Sequence, residues 1–207
     1  MLEHILSHAL KENKIMLNKH AEGQLIQFLN RMTIWNRAFN LTRITEPKPM
    51  VYDHIIDSLV IHPYLQGSRC LDVGSGAGLP GIPLAIMDSK KYWTLVDKNN
   101  KKTHFLNQIV AELKLSHIEV CHTRVEEYNP PLSFDSILSR AFGTIRVLIE
   151  KTSHLLGEKG IMIAMKGQYP QEELDDIPNL FMVKDVIRLN IVGSDVKRHI
   201  VILQKRG

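Results

Sequence analysis

From Leu2 to Leu10 the apolar positions Leu2, Ile5, Leu6, Ala9 and Leu10 fall at i, i+3, i+4, i+7 and i+8, the spacing of one face of a helix. A second such face is carried by Leu25, Phe28, Leu29, Met32, Trp35 and Phe39. A third follows Pro47, with Val51, Ile55 and Leu59 spaced by four, and ends near Pro63. Beyond Gly67 the period changes. Short β-rich runs, Arg69 to Val73, Tyr92 to Asp97, His117 to Cys121, Phe134 to Ser139 and Ile161 to Met165, alternate with helical segments. These helices start near Pro80, near Lys98 (Phe105, Leu106, Ile109, Val110, Leu113) and near Thr144 (Ile145, Leu148, Ile149, Leu155, Leu156). Alternation of this kind predicts a parallel sheet with right-handed crossovers. Phe181 to Ile191 and Arg198 to Gln204 are joined by a polar loop too short for a crossover helix, so they are expected to pair as an antiparallel hairpin. The pattern thus predicts an α/β fold with a seven-stranded, mostly parallel sheet. A helical cap over 1–66 precedes the sheet domain at 67–207, and the two are expected to form one unit.

Composition narrows the class without naming it. At 207 residues, 44% hydrophobic and 23% charged, the chain can bury a sizeable core, which excludes disordered and fibrous architectures. Glu3 stands where a secretory signal would carry basic residues, and no apolar run approaches the roughly eighteen residues of a membrane span. A cytoplasmic chain with no membrane association is the expectation. Cys70 and Cys121 lie in short apolar stretches, where a thiol behaves as a small hydrophobe, so neither a disulfide nor a zinc site is expected. His4 and His8 share an i, i+4 spacing but have no evident third ligand, which makes them surface histidines rather than a metal site. Lys+Arg 26 against Asp+Glu 22 gives +4, a mild excess compatible with an anionic partner but no proof of one.

Directly after the first predicted strand comes Leu71-Asp72-Val73-Gly74-Ser75-Gly76-Ala77-Gly78-Leu79-Pro80-Gly81. Glycines let the backbone turn sharply and approach a ligand closely, and free N–H groups at a helix start favour a negatively charged group. A dinucleotide fingerprint would want glycine or alanine where Leu79 stands, so a pyrophosphate ligand fits poorly. Asp97 ends the next strand, where a carboxylate can accept from both hydroxyls of a ribose. The combination suits an adenosyl ligand without a pyrophosphate. Asp72-x-Gly-x-Gly-x-Gly resembles the first motif of the seven-stranded methyltransferases that depend on S-adenosylmethionine (SAM). By that resemblance the Gly74 to Leu79 loop wraps the methionine part, Asp97 holds the ribose, and Arg124-Val125-Glu126 meets the adenine. Glu126 as an exposed helix-capping acid is the competing reading.

The acceptor is narrowed by chemistry that is missing. Asn129-Pro130-Pro131-Leu132 resembles the motif of amino-group methylases of bases, but it precedes the fourth strand and lacks the aromatic residue, so a proline-rich turn is the better reading. Carbon-5 pyrimidine methylation needs a cysteine nucleophile in a loop, whereas both cysteines fall in strands. A ribose 2′-O methylase would need a lysine–carboxylate set, and no acid neighbours Arg140 in the sequence. Positive charge does converge on the C-terminal edge of the sheet: Arg124, Arg140, Lys166 and Arg198. Four cations at the ligand end of an open α/β sheet point to an anionic polymer, and Arg can fork onto the O6/N7 edge of guanine. Guanine N7 carries a free lone pair and no proton, so its methylation needs positioning but no general base.

The words Trp35-Asn36-Arg37-Ala38-Phe39-Asn40-Leu41-Thr42, His54-Ile-Ile-Asp57-Ser58-Leu59, the loop from Asp72 to Pro83, Lys101-Lys102-x-x-Phe105-Leu106, Arg124-Val-Glu126, Ser139-Arg140-Ala141 and Lys166-Gly167 run in order from about residue 20 to the end. Together they resemble the RsmG family, also called glucose-inhibited division protein B, the 16S ribosomal RNA guanine-N7 methyltransferases. The resemblance implies SAM as cofactor and, as acceptor, the guanine conventionally numbered 527 in 16S rRNA of the 30S subunit or an assembly intermediate, with the enzyme acting as a monomer. It implies SAM contacts at Asp72, Gly74, Gly76, Gly78, Leu79, Asp97, Val125, Glu126 and Arg140, and RNA or base-orienting roles for Arg124, Lys166 and Arg198. Asp97-Lys98-Asn99-Asn100 is a polar version of the segment after the second strand. The rival readings are a SAM methyltransferase for another RNA base or a small molecule, a nicotinamide dehydrogenase, disfavoured by Leu79, and a SAM-binding ribosome-assembly factor.

Other candidates have structural readings. Trp35 and Phe39 are expected in the core, with Asn40 and Thr42 satisfying a turn. His54, Asp57 and Ser58 share one helix face, and no nucleophile elbow exists for a hydrolase, so a hydrogen-bonded cluster joining the cap to the sheet is expected. Lys101 and Lys102 at a helix start are disfavoured by its dipole, which makes them mild candidates for RNA phosphate contact.

Overall fold

Apolar periodicity decides where each element faces. The computed structural model describes residues 1–206. Helix α1 (Leu2–Glu12) buries Leu6, Ala9 and Leu10. Helix α2 (Lys19–Phe39) is started by Asn18, whose side chain accepts from the Ala21 N–H at 2.9 Å, and is ended by Asn40 in the left-handed conformation. It buries Leu25, Phe28, Leu29 and Met32. The third predicted helix is broken into α3 (Pro47–Met50), a π-helical turn over Val51–Ile56, and α4 (Asp57–Leu59). Val51, Ile55 and Leu59 are nevertheless all buried. The chain then enters β1 (Arg69–Val73), α5 (Gly81–Met87), β2 (Tyr92–Asp97), α6 (Asn100–Glu112), β3 (Ile118–His122), β4 (Phe134–Arg140), α7 (Ile145–Thr152), β5 (Leu156–Lys166), α8 (Gln171–Asp175), β6 (Phe181–Leu189) and β7 (Arg198–Lys205).

The sheet has seven strands in the order β3-β2-β1-β4-β5-β7-β6. The first five are parallel, while β7 runs antiparallel between β5 and β6. Strand order reverses between β1 and β4, the switch point outside which open α/β sheets hold ligands. One core cluster joins Leu6, Leu25, Phe28 and Ile55 of the N-terminal helices to Phe105, Leu106 and Ile109 of α6, so the cap shares its core with one face of the sheet. A second cluster lies under α7 on the other face, with Ile145, Leu148 and Ile149 against Val73, Ile137 and Met162. Among the described residues no helix is long and apolar enough to cross a membrane.

Several sequence expectations are corrected. Helix α6 begins at Asn100 rather than Lys98, because the Asn99 side chain accepts from the N–H groups of Lys101 and Lys102. Helix α7 ends at Thr152, and Leu155 and Leu156 belong to a 3-10 turn and to β5. Phe39, the last residue of α2, is exposed and stacks at 5.1 Å on Trp35. The turn after α2 is made by Asn40 in the left-handed conformation and by Thr42, whose Oγ1 accepts from the Ile44 N–H at 3.1 Å, as expected, with Asn36 added, its side chain accepting from the Thr42 N–H at 2.8 Å. Helix α8 has no counterpart in the predicted elements, being a single short turn of largely acidic sequence with no buried residue.

Candidate functional site: two adjoining cavities at the switch point

Strand register fixes which side chains meet at the C-terminal edge. Val73 pairs with Val96 and Ser139, which puts Gly74, Asp97 and Arg140 at one level. Arg140 pairs with Met165 and Lys166 with His199, which brings Lys166 and Arg198 to the same edge. Two cavities open there. One, of about 410 Å³, is lined by Gly74, Val96, Asp97, Lys98, Lys102, Thr123, Arg124, Val125, Glu126, Ala141, Phe142, Val147 and Lys151. The other, of about 440 Å³, is lined by Ile44, Asp53, His54, Asp57, Arg140, Ala141, Met165, Lys166, Gly167 and Arg198. Ala141, a wall of both, has φ of 56°, a left-handed conformation that costs an L residue free energy and recurs at functional sites.

In the first cavity the glycine loop is tied to the strand ends. Gly74 has φ of 67°, and a Cβ there would lie 2.8 Å from Cδ2 of Phe142. The positive φ favours glycine, the Phe142 ring occupies the space a Cβ would take, and Gly74 itself lines the cavity. The Asp97 carboxylate, 6% exposed, accepts from the Gly76 N–H at 2.9 Å and from the Asn99 N–H at 2.8 Å. Each oxygen keeps lone-pair capacity for a further donor such as a sugar hydroxyl. Asp72 is fully buried beneath the loop. Its Oδ2 accepts from the Gly81 N–H at 3.0 Å, and its Oδ1 has no partner among the described residues. Burial, partly offset by the Gly81 hydrogen bond and by the nearby Arg140 charge, pushes its carboxyl up to about 7. Leu79 and Gly78 are buried under the loop rather than on the cavity wall, and Leu79 belongs to the cap-side core. Glu126 is exposed and accepts from Lys151 Nζ at 2.8 Å, an ion pair that holds its carboxyl below the usual range.

The second cavity joins residues far apart in sequence. The Lys166 ammonium donates to Glu173 at 2.7 Å and to the Gly143 carbonyl at 2.9 Å. Glu173, from the unpredicted helix α8, also accepts from the Ile145 N–H at 2.7 Å and so holds the start of α7. Asp57, with no side-chain exposure, accepts from Arg140 Nη1 at 3.2 Å and from Arg198 Nε at 2.7 Å. The absence of an acid beside Arg140 is thus corrected: the acid comes from the cap, 83 residues earlier, where adjacency in sequence gives no hint of it. His54 contacts Thr42 Oγ1 at 3.0 Å through Nε2 and the Asp53 carbonyl at 3.1 Å through Nδ1. Burial, reinforced by the Arg140 charge, lowers its pKa to about 4 and keeps it neutral.

The structure therefore groups Arg140, Lys166 and Arg198 around one cavity and puts Arg124, exposed, on the other. The link from cap to sheet expected of the His54-Asp57-Ser58 cluster is made by Asp57, with Arg140 and Arg198 as the partners the sequence did not specify, and Glu173 as the partner of Lys166 left no signal in the sequence. Lys102, a candidate for RNA phosphate contact by sequence, reaches the glycine loop: a Cβ on Gly76 would lie 3.9 Å from its Nζ.

A family model described as GidB, rRNA small subunit methyltransferase G, matches residues 21–201. The chain belongs to this family. It is 43% identical over 199 residues to the ribosomal RNA small subunit methyltransferase G of Shigella flexneri, covering 96% of each chain. In fold, this member of the family is similar to a SAM-dependent methyltransferase from Geobacter sulfurreducens in complex with S-adenosyl-L-homocysteine. That match has a TM-score of 0.59 at 15% identity and covers 86% of this chain and 98% of that one. A similar SAM-dependent methyltransferase from Thiobacillus denitrificans, also with S-adenosyl-L-homocysteine, gives a TM-score of 0.56 at 13% identity, with 84% and 98% covered. The seven-stranded methyltransferase fold expected from the sequence is the fold observed.

Proposed function

We propose that the chain transfers the methyl group of SAM to N7 of a guanine in 16S rRNA, the one conventionally numbered 527, within the 30S subunit or an assembly intermediate. The observation that carries this reading is the pair of cavities sharing Ala141, one walled by Gly74, at the start of the glycine loop, and Asp97, the other by three cations. The first cavity fits SAM. It has the size of a small-ligand site, a carboxylate level with the loop for the ribose, and the Lys102 ammonium beside the glycine loop for the methionine carboxylate. When bound, SAM supplies an electrophilic methyl group on a sulfonium.

The rest is done by this chain. Gly74 and Gly76 give close backbone approach, Asp97 orients the sugar, and Val125 with Glu126 borders the adenine end. Arg140, Lys166 and Arg198 attract the RNA and can donate to O6 of guanine, with N7 left free for the methyl. Arg124, at the rim of the first cavity, contacts RNA as it enters. Among the described residues of the second cavity, Asp53 accepts from the Ser194 hydroxyl through Oδ1, and neither His54, with both nitrogens engaged, nor Asp57, which accepts from two arginines, is set as a general base. An acceptor with a ready lone pair needs none. Orienting two bound reactants lowers a barrier by about 7–11 kcal/mol, enough to carry the reaction by positioning. The enzyme acts as a soluble monomer in the cytoplasm.

The test is transfer of isotope-labelled methyl from SAM to 30S subunits from a strain lacking this gene, followed by nuclease digestion and nucleoside mass spectrometry. Labelled 7-methylguanosine at a single position is expected. Label in another nucleoside would discard the acceptor, and SAM binding without transfer to any RNA would discard the enzymatic reading for this substrate.

A further inference from the structure

Arg140 closes β4 and Arg198 opens β7, and β5 lies between those strands. Two inter-strand spacings of about 4.8 Å therefore separate the backbones that carry the two guanidiniums. A single carboxylate bridges them: Asp57 Oδ2 accepts from Arg140 and Oδ1 from Arg198. Both oxygens act as acceptors and neither arginine has a lone pair to accept a proton, so this geometry belongs to the carboxylate. Burial pushes the Asp57 carboxyl up and the two guanidinium charges pull it back.

The π-helical turn places this carboxylate. One residue beyond the α-helical count turns the helix downstream by about 100°. It also delivers the Asp53 carbonyl to Arg140 Nη1 at 3.2 Å, a second anchor for the same group. Arg198 Nη1 is anchored on the Lys197 carbonyl at 3.2 Å. Among the described residues, Nη2 of each arginine has no protein partner, and both side chains line the second cavity about one-fifth to one-quarter exposed, 21% and 24%. Two like charges left to themselves would repel and rotate. Held from behind by one carboxylate, they offer donors in fixed directions while keeping one net positive charge for an anionic or oxygen-rich acceptor.

We propose that Asp57 is a positioning residue for methyl transfer, setting Arg140 and Arg198 as a preorganised pair that orients the acceptor base. The inference rests on the proposed function for what occupies the cavity, but the arginine geometry can be tested separately. The Asp57→Asn variant keeps the shape and removes the charge. Per folded molecule, its single-turnover transfer to 30S subunits is expected to fall about 10²-fold, the scale of a 1 Å misplacement. Arg198→Ala should cause a loss of the same order, and the double variant should be little worse than the worse single one, because both changes remove the same function. A purely structural Asp57 would lower thermal stability but leave the rate per folded molecule within threefold of wild type, or give losses that multiply; either result overturns the proposal.

Should Asp57→Asn fail to fold, the wild-type protein decides. In ¹⁵N NMR spectra assigned with Arg140→Lys and Arg198→Lys, each guanidinium should show two resolved Nη signals, because rotation about Cζ–Nε is blocked. A single averaged signal for either arginine overturns preorganisation. Wild-type protein that fails to methylate 30S subunits but shows both restricted arginines would count against the proposed substrate and leave the positioning device standing.

Discussion

Replacing Asp72 by asparagine separates the charge of the loop's buried acid from its shape. A carboxyl whose ordinary value is 3.8 is raised to about 7 in the folded chain, chiefly by burial. The folded chain then holds a proton that the unfolded chain releases, so the associated stability is full below 3.8 and is lost as pH rises through about 7. The whole difference amounts to about 4 kcal/mol, and about 3 kcal/mol of it develops between roughly pH 4.5 and pH 8. The amide of Asp72→Asn stays neutral throughout. At about 2–4 °C per kcal/mol for a chain of this size, the variant's thermal midpoint should rise relative to wild type by roughly 10 °C across that interval. A constant offset against the variant is expected as well, since an amide N–H at the site of the unpartnered Oδ1 costs about 1–3 kcal/mol. The slope of the difference is therefore the test, read by calorimetry of both proteins in matched buffers. His54 and the surface groups are present in both and cancel. A difference that stays flat or falls with pH would refute the reasoning, meaning that water or a rearranged loop solvates Asp72. Arg140→Ala should extend the rise to higher pH without moving its onset, because that guanidinium helps ionise the acid in the folded chain only.

His54 titrates with the opposite sign. Its value is depressed from 6.5 to about 4, so its stabilisation is present above 6.5 and disappears as pH falls through about 4; His54→Gln should remove about 3 kcal/mol of that acid loss in urea titrations, and an unchanged acid limb would contradict it. Gly74→Ala combines a left-handed φ with a Cβ 2.8 Å from the Phe142 ring, so SAM affinity by calorimetric titration should drop about tenfold, for roughly 1–2 kcal/mol of strain; wild-type affinity would mean that the ring swings aside freely. Arg198→Ala should reduce methyl transfer to RNA while sparing SAM binding, whereas Arg140→Ala should impair both, because its charge reaches Asp72 under the loop. Equal, small effects on both steps would refute that division.

The repeated apolar spacings of the first sixty residues and the alternation after Gly67 were enough to predict the helical cap, the parallel strands and the closing hairpin, because burial of one face imposes a period on the chain. The strand, tight turn and helix start around the glycine loop, and the place of Asp97 at the end of β2, were legible for a similar reason, being local features of the chain. Val51, Ile55 and Leu59 announced a helix but not its π-helical turn, since a spacing of four is compatible with both and the choice is made by what the turn docks against. Arg140, Lys166 and Arg198 could be seen as cations at strand ends and Asp57 as part of a link from cap to sheet, whereas which of them would pair could not. Asp57 reaches Arg198 across 141 residues of chain, and Glu173 meets Lys166 from a helix too short and polar to leave a period. Apolar pattern is a local property that one sequence displays; pairing of buried charges depends on which strand ends the sheet order brings level, and that is decided by the place of β7 between β5 and β6 and by the reach of Asp57 from the cap to Arg140 and Arg198.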